Sequence, residues 1–212
     1  MPRRLLILAT AACALAIPAC TRLGLIRSAD ARLVSAESDA TLSPDFRLLV
    51  HHAEPGDPAT DLYFTDLTDD EIDTFFDESG AWTDIRGSIV HLHLFIRPYA
   101  GRTPIEPTAA NATVRWAVLA QGELGVYTGA GFVLPSRSIA GSNLAGDLSG
   151  ATLRLTHATG GFHDALGPAR LTMGFTTEPD ETLARELERR LDAIARRAAP
   201  VEVPEVIDDP TP

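Results

Sequence analysis

A chain of 212 residues is long enough to bury one substantial hydrophobic core or two small ones. Hydrophobic residues make up 45% of it and charged residues 22%, a balance typical of folded proteins, so disorder throughout the chain is excluded. The formal net charge of −11 argues against a nucleic-acid partner, because a phosphate backbone requires a basic face, and against adhesion to anionic lipid by charge alone.

Residues 1–19 have the features of an export signal. Met1–Arg4 is a short basic segment and Leu5–Ala16 is apolar. The apolar run up to Cys20 is shorter than the roughly 20 residues that a membrane-spanning helix requires. It ends in I-P-A-C at positions 17–20, which resembles the cleavage site of bacterial lipoproteins.

This resemblance implies cleavage before Cys20, a diacylglycerol group on the Cys20 thiol, and acylation of the new amino group. It therefore implies a lipoprotein of the cell envelope, anchored to the membrane and facing the periplasm or the cell surface. The alternative is an ordinary export signal cut after Ala19, which would leave a free thiol. In both cases Cys13 is removed, so the mature domain has no internal disulfide.

Residues 20–41 are predicted to form a lipidated tether, since Ser, Ala, Asp and Arg occur there without sustained periodicity. A β-domain is predicted for residues 42–177. Its first strand is Phe46–His52, which ends at the turn cluster E-P-G-D-P. Its central strand is Ser88–Arg97, where apolar residues alternate with a second face of Ile, His, His and Phe.

A short internal helix is predicted for Asp66–Gly80. Thr68 and Glu71 fit a capping box, and the acids that surround them suit the first turn of a helix. Ile72 and two phenylalanines then follow at helical spacing. Further strands are predicted at Ala112–Ala120, Leu124–Leu134, Asp147–His157 and Ala169–Thr176, the first two being joined by a hairpin turn at Q-G-E.

Strands at short spacing, each with one apolar face, predict a mainly β fold: an antiparallel sandwich or a small barrel, with the short internal helix and a C-terminal amphipathic helix. The segment T-G-G-F-H-D-A-L-G-P-A-R-L-T at 159–172 resembles the glycine-rich hairpin of allene oxide cyclase-like and dirigent barrels. The resemblance implies that a barrel is one option, and it transfers no catalytic residue.

The C-terminal helix is predicted for residues 178–198, with Pro179 in its first turn. Leucines and an isoleucine form one stripe, and three pairs of opposite charge stand four residues apart. The stripe is Leu183, Leu187, Leu191 and Ile194, and the charge pairs are Glu181–Arg185, Glu186–Arg190 and Asp192–Arg196. Residues 199–212 are rich in proline and acids and are predicted to be a disordered tail.

His91 and His93 lie on one face of the central strand, with Cα atoms about 6–7 Å apart. Two such imidazoles can share a metal ion when a third ligand arrives from another strand or loop. His157 and His163 are candidate ligands, as are the histidines at 51–52. The alternative is that His91 and His93 are simply hydrogen-bonded on a semi-polar face of the sheet.

A stiff loop after the central strand is a candidate binding surface. It carries Arg97, Tyr99, Arg102 and Glu106 among three prolines, and polar loops beside a rigid strand often hold recognition residues. The alternative is a structural connection in which the arginines pair with acids.

The sequence offers no catalytic constellation: it has no G-x-S-x-G elbow, and the mature chain has no spare cysteine. We therefore expect a non-enzymatic, lipid-anchored envelope protein whose β-domain binds or scaffolds an envelope protein or a small molecule. One alternative is a metal-dependent envelope hydrolase or lyase that uses His91 and His93. Another is a β-barrel that carries a small apolar ligand. No cofactor is predicted apart from that metal.

Overall fold

The computed structural model describes residues 28–54, 56–76, 84–95, 110–137 and 143–201. This part of the chain is mainly β, as predicted. Its strands are β1 (Ser28–Ser35), β2 (Thr41–Leu42), β3 (Leu48–His52), β4 (Thr60–Thr65), β5 (Gly87–Leu94), β6 (Ala112–Ala120), β7 (Glu123–Arg137), β8 (Leu144–Ala158), β9 (Ala169–Pro179) and β10 (Ala199–Pro200). Its helices are α1 (Asp69–Phe76) and α2 (Glu181–Arg197).

Seven of the described strands close a barrel-like ring. The order is β8-β7-β6-β5-β4-β3-β9, and β9 pairs back with β8. Neighbours in the ring are antiparallel except β3 and β9, which share a short parallel pairing of Val50 and His51 with Glu178 and Pro179. β1 and β2 extend the sheet beyond β9, and β10 pairs with β8. Of the two predicted architectures, the described strands therefore form the small barrel.

The prediction of a tether over residues 20–41 is wrong for its second half. β1 pairs with β9 along its whole length, from Ser28 opposite Thr176 to Ser35 opposite Ala169. Ala31 and Leu33 are buried. The β-domain therefore begins at least as early as Ser28, because a strand partner far downstream in the sequence orders this segment. The leader, Cys20 and the first part of the tether lie outside the described residues.

The strand β4 is absent from the sequence-based prediction. It lies between β3 and β5 in the ring, and Leu62, Tyr63 and Phe64 are all buried. A strand that is covered on both faces does not alternate between apolar and polar residues, and alternation is the pattern that reveals a strand. This omission matters because β4 also carries Asp61.

The barrel wall separates two hydrophobic cores. In β5, Val90, Leu92 and Leu94 belong to the interior core, and Ile89 belongs to an outer core, which confirms the predicted two faces of this strand. The interior is filled by large side chains, and its aromatic rings pack at centroid distances of 5.7–6.0 Å. Those rings are Phe46, Phe64, Trp116 and Phe175. The outer core lies between the wall and α2.

The capping box of α1 is confirmed. The backbone N–H and the hydroxyl of Thr68 both donate to Glu71, at 2.8 and 2.9 Å, and the N–H of Glu71 donates back to the Thr68 hydroxyl at 3.3 Å. α1 is described only as far as Phe76, so the predicted end at Gly80 lies outside the described residues.

The amphipathic helix α2 is confirmed, but its start is not at residue 178. Asp180 caps the helix by accepting a hydrogen bond from the N–H of Leu183 at 2.9 Å, and Pro179 ends β9 instead of entering the first turn. The buried stripe of α2 is Ala184, Leu187, Leu191 and Ile194, while Leu183 is only partly buried.

Two of the three predicted charge pairs on α2 are present. Glu181 pairs with Arg185, and Glu186 pairs with Arg190. Asp192 instead accepts a hydrogen bond from Arg115 of β6 at 2.7 Å. Asp192 therefore pairs with a residue of the barrel wall, and not with Arg196, which the four-residue spacing along the helix predicts as its partner.

The predicted disordered tail is wrong at its first residues. Ala199 and Pro200 pair with Ala158 and His157 of β8, and the N–H of Val201 donates to the carbonyl of Thr156 at 2.9 Å. Residues 202–212 lie outside the described part. No helix in the described ranges is both long and apolar enough to cross a membrane.

Candidate metal centre

The outer face of β4 and β5 carries a cluster of polar side chains. Asp61 stands opposite His93 in the β4–β5 ladder, and Tyr63 stands opposite His91. Residues two apart on a strand share a face, and the residues between them, such as Leu62 and Leu92, belong to the interior core. All four side chains of the cluster therefore project from the outside of the barrel.

The two histidines meet at one carboxylate oxygen. The Nε2 atom of His91 and the Nδ1 atom of His93 each lie 2.7 Å from Oδ1 of Asp61. The side chains are sheltered but still accessible, with exposed fractions of 17% for His91, 35% for His93 and 32% for Asp61. One donor atom from each of the three residues lies within 4.8 Å of the others.

The surroundings keep Asp61 ionised and hold the ring of His91 in one orientation. Burial alone would raise the pKa of Asp61, but the hydrogen bonds from His91 and His93 outweigh it and hold that pKa below its usual value. The Tyr63 ring stacks on His91 with centroids 4.6 Å apart and planes 4° apart. Burial, followed by nearby carboxylates, raises the pKa of Tyr63, so its side chain stays a neutral phenol.

Two imidazole nitrogens and one carboxylate oxygen form a donor set used for zinc and for ferrous iron. At zinc bond lengths of about 2.0–2.1 Å, neighbouring ligand atoms in a tetrahedral site lie about 3.3 Å apart. The donor atoms of each histidine–aspartate pair are now 2.7 Å apart, so each of these two pairs needs to open by only a fraction of an ångström. Three protein ligands leave a fourth position for water or another small ligand.

Of the four predicted metal ligands, the structure brings together His91 and His93. His157, on β8, lies 3.2 Å from the Thr156 hydroxyl through Nδ1, and His163 lies in the loop before β9; neither belongs to the cluster. Sequence reasoning missed Asp61, because only the register of β4 against β5 places it opposite His93.

The candidate binding surface predicted after the central strand lies outside the described residues, so its role stays a prediction. Its residues are Arg97, Tyr99, Arg102 and Glu106.

The histidines at 51 and 52 point to opposite sides of β3. His52 stands opposite Asp61 in the β3–β4 ladder, and its Nε2 atom is buried without a hydrogen-bond partner in the described part of the chain. This places a further imidazole beside the cluster. The Nδ1 atom of His51 instead lies 3.0 Å from the hydroxyl of Thr177. Burial lowers the pKa of His51 to about 4.

We expect His51 to make the fold less stable in mild acid. Between pH 6.5 and 4 the unfolded chain binds a proton at this residue and the folded chain does not, so the free energy of unfolding falls as the pH falls. The loss over this whole range is about 3 kcal/mol, of which about 2 kcal/mol falls between pH 7 and pH 5. Denaturant unfolding at these two pH values measures that part. His51→Gln should reduce the difference between the two pH values, whereas His163→Gln, which alters an exposed loop histidine, should not. An unchanged difference in His51→Gln would contradict the prediction.

A groove lies beside the histidines on the outer face. It has a volume of about 510 Å³ and is lined by His91, His93, Thr113, Val114, Arg115, Thr128 and Gly129. A second groove of about 410 Å³ adjoins it and shares Arg115 and Thr128. The rest of its lining is Val126, His157, Asp192, Ala195 and Arg196.

No protein-family model matches this chain, and no curated protein or solved structure matches it significantly.

Proposed function

We propose that this chain is a lipid-anchored protein of the cell envelope whose barrel binds a divalent transition metal ion, zinc or ferrous iron. Asp61, His91 and His93 are the ligands. The observation that carries the proposal is the convergence of both imidazoles on one accessible carboxylate oxygen. The anchor is proposed from the lipoprotein-like signal that ends at Cys20.

A purely structural hydrogen-bond network is the competing interpretation of the cluster. Two features favour the metal. The cluster borders an open groove, so an ion can reach it without unfolding the barrel. In addition, stacking on Tyr63 already holds the His91 ring in place in the folded chain, which lowers the cost of ordering that ligand.

We favour binding over catalysis as the role of this centre. A metal-dependent hydrolase or lyase would use the same three ligands with water in the fourth position. Such an enzyme also needs a general base within hydrogen-bond reach of that water. Among the described residues, no carboxylate lines the groove beside the histidines, and the Nε2 atom of the neighbouring His52 is buried. The alternative of an apolar carrier is disfavoured by the aromatic packing of the interior.

Titration with zinc tests the metal proposal. The full-length protein in detergent, freed of metal with a chelator, is expected to bind one equivalent of zinc in isothermal titration calorimetry with a competing chelator. Asp61→Ala and His91→Ala should each weaken the affinity by roughly 100-fold or more, because each removes a ligand. His163→Ala is the matched control, since it removes an exposed imidazole outside the cluster. Unchanged affinity in Asp61→Ala and His91→Ala, or an equal loss in the control, would contradict the proposal.

A further inference from the structure

The groove beside the metal centre differs from the rest of the protein in its charge. The whole chain has a formal net charge of −11, yet the groove lining contains an arginine, two threonines and no acid. In a protein with this excess of carboxylates, a wall without acids next to a candidate cation site favours a negatively charged ligand.

Arg115 stands at the position from which it can reach a ligand of the metal. It lies opposite His91 in the β5–β6 ladder, and Thr113 lies opposite His93. Side chains paired in this way have Cβ atoms about 4.5–5.5 Å apart. Thr128, the cross-strand neighbour of Arg115 on β7, adds a hydroxyl to the same wall. The donors of these three residues and two of the proposed metal ligands, His91 and His93, thus line one groove.

The guanidinium group of Arg115 is oriented by one hydrogen bond and keeps further N–H donors. Its Nη1 atom donates to Oδ1 of Asp192 at 2.7 Å, and the side chain is 37% exposed. A guanidinium has five N–H donors in a fixed planar fork, which matches the oxygens of carboxylates and phosphates. Asp192 lines the adjoining groove but not the one beside the histidines. Asp192 therefore orients the guanidinium of Arg115 from outside this groove. The other N–H donors of Arg115 are left for a ligand in the groove.

We propose that this groove binds a small oxyanion, a carboxylate or phosphate group, which completes the coordination of the metal and is hydrogen-bonded by Arg115. This inference rests on the proposed metal site. The oxyanion fits the position that three protein ligands leave open, and its charge is shared between the metal ion and the guanidinium.

Substitution with Co²⁺ allows oxyanion binding to be followed by visible absorption, since the absorption of bound Co²⁺ changes with its ligands. The full-length protein in detergent is saturated with Co²⁺, and its visible spectrum is followed at constant ionic strength during additions of sodium acetate, sodium phosphate or, as a neutral probe, glycerol. We expect a saturable change with at least one of the two anions and none with glycerol. Comparison of acetate with phosphate identifies which oxyanion the groove prefers.

Variants separate a specific site from general attraction to positive charge. Arg115→Gln should weaken the apparent anion affinity about tenfold, because a charge-assisted hydrogen bond is lost. Arg154→Gln is the matched control: this exposed arginine stands opposite Thr128 on β8 and does not line the groove, so it should retain the affinity. Since the Arg115–Asp192 pair is partly exposed to solvent, its loss should cost little stability and Arg115→Gln should fold normally. The thermal midpoint of the variant checks this.

The outcomes distinguish this inference from the proposed function. If Co²⁺ binds stoichiometrically but its visible spectrum does not change with acetate or phosphate, the proposal of an oxyanion site is contradicted and the proposed metal site is not. If Arg115→Gln and Arg154→Gln weaken the anion equally, or neither does, Arg115 is not the recognition residue and the inference fails. If Co²⁺ does not bind at all, both the metal site and the oxyanion site are overturned.

Discussion

The substitution Gly129→Ala is expected to destabilise the barrel by about 3 kcal/mol or more, since it forces two paired strands apart. A Cβ atom added to Gly129 of β7 would lie 1.8 Å from the backbone oxygen of Thr152 and 3.1 Å from the Cα atom of Leu153. Both atoms belong to the backbone of β8 and cannot move away as a flexible side chain would. The ladder is already irregular next to this point, where its register shifts between Ala130 and Phe132.

The size of the effect follows from the position of β8 in the ring. β8 pairs with β7 on one side and closes the barrel against β9 on the other, so a displacement of its backbone disturbs two ladders. Domains of this size are stable by only about 5–15 kcal/mol. Gly160→Ala is the matched control, because nothing lies within 4 Å of the added atom there. In urea unfolding, the free energy of unfolding of the control should lie within about 0.5 kcal/mol of that of the original chain. Equal stabilities for the two variants would contradict the proposed clash.

Replacement of Cys20 with serine is expected to release the protein from the membrane almost completely. Acyl chains contribute about 0.8 kcal/mol for each buried CH₂ group, and a single chain gives only marginal attachment, whereas two or more give a stable anchor. A serine hydroxyl is a much weaker nucleophile than a cysteine thiolate and does not take the lipid. Fractionation of cells into membrane and soluble material, with mass spectrometry of the mature N-terminus, measures the result.

Cys13→Ser is the control for the anchor, since it removes the other cysteine and leaves the I-P-A-C sequence intact. This variant should fractionate and be processed like the original chain. A Cys20→Ser protein that stays in the membrane fraction and is trimmed as before would show that the anchor is not a lipid on Cys20. Release of the control would show that Cys13 takes part in the anchoring.

Local chemistry was sufficient to predict the structure wherever the interacting groups are close in the sequence. The capping box of Thr68 and Glu71 lies within one helical turn, and both partners are visible in the sequence. The hairpin between β6 and β7 turns at Gln121 and Gly122, with φ values of 54° and 82°; its two residues have the left-handed conformations that the tightest hairpins need. The alternation of β5 likewise predicted its interior and outer faces.

The pairing of strands was decided by the tertiary structure alone. β1 is ordered by β9, which is distant in the sequence, and so a segment without local periodicity is a strand. β4 lacks alternation because both its faces are covered. The same long-range register places Asp61 between His91 and His93.

The sequence by itself therefore determined the mainly β class, the approximate positions of most strands and of both helices, the two faces of β5 and the histidine pair; the lipid anchor that its signal implies stays a prediction. Only the tertiary structure decided the closed ring, the inclusion of residues 28–35 and 41–42 in the sheet, and the third candidate ligand, Asp61. The physical reason is the range of the forces involved. Caps, turns and alternation depend on neighbours a few residues away, whereas strand register is set by burial and hydrogen bonds between segments whose distance in the sequence carries no information about their partner.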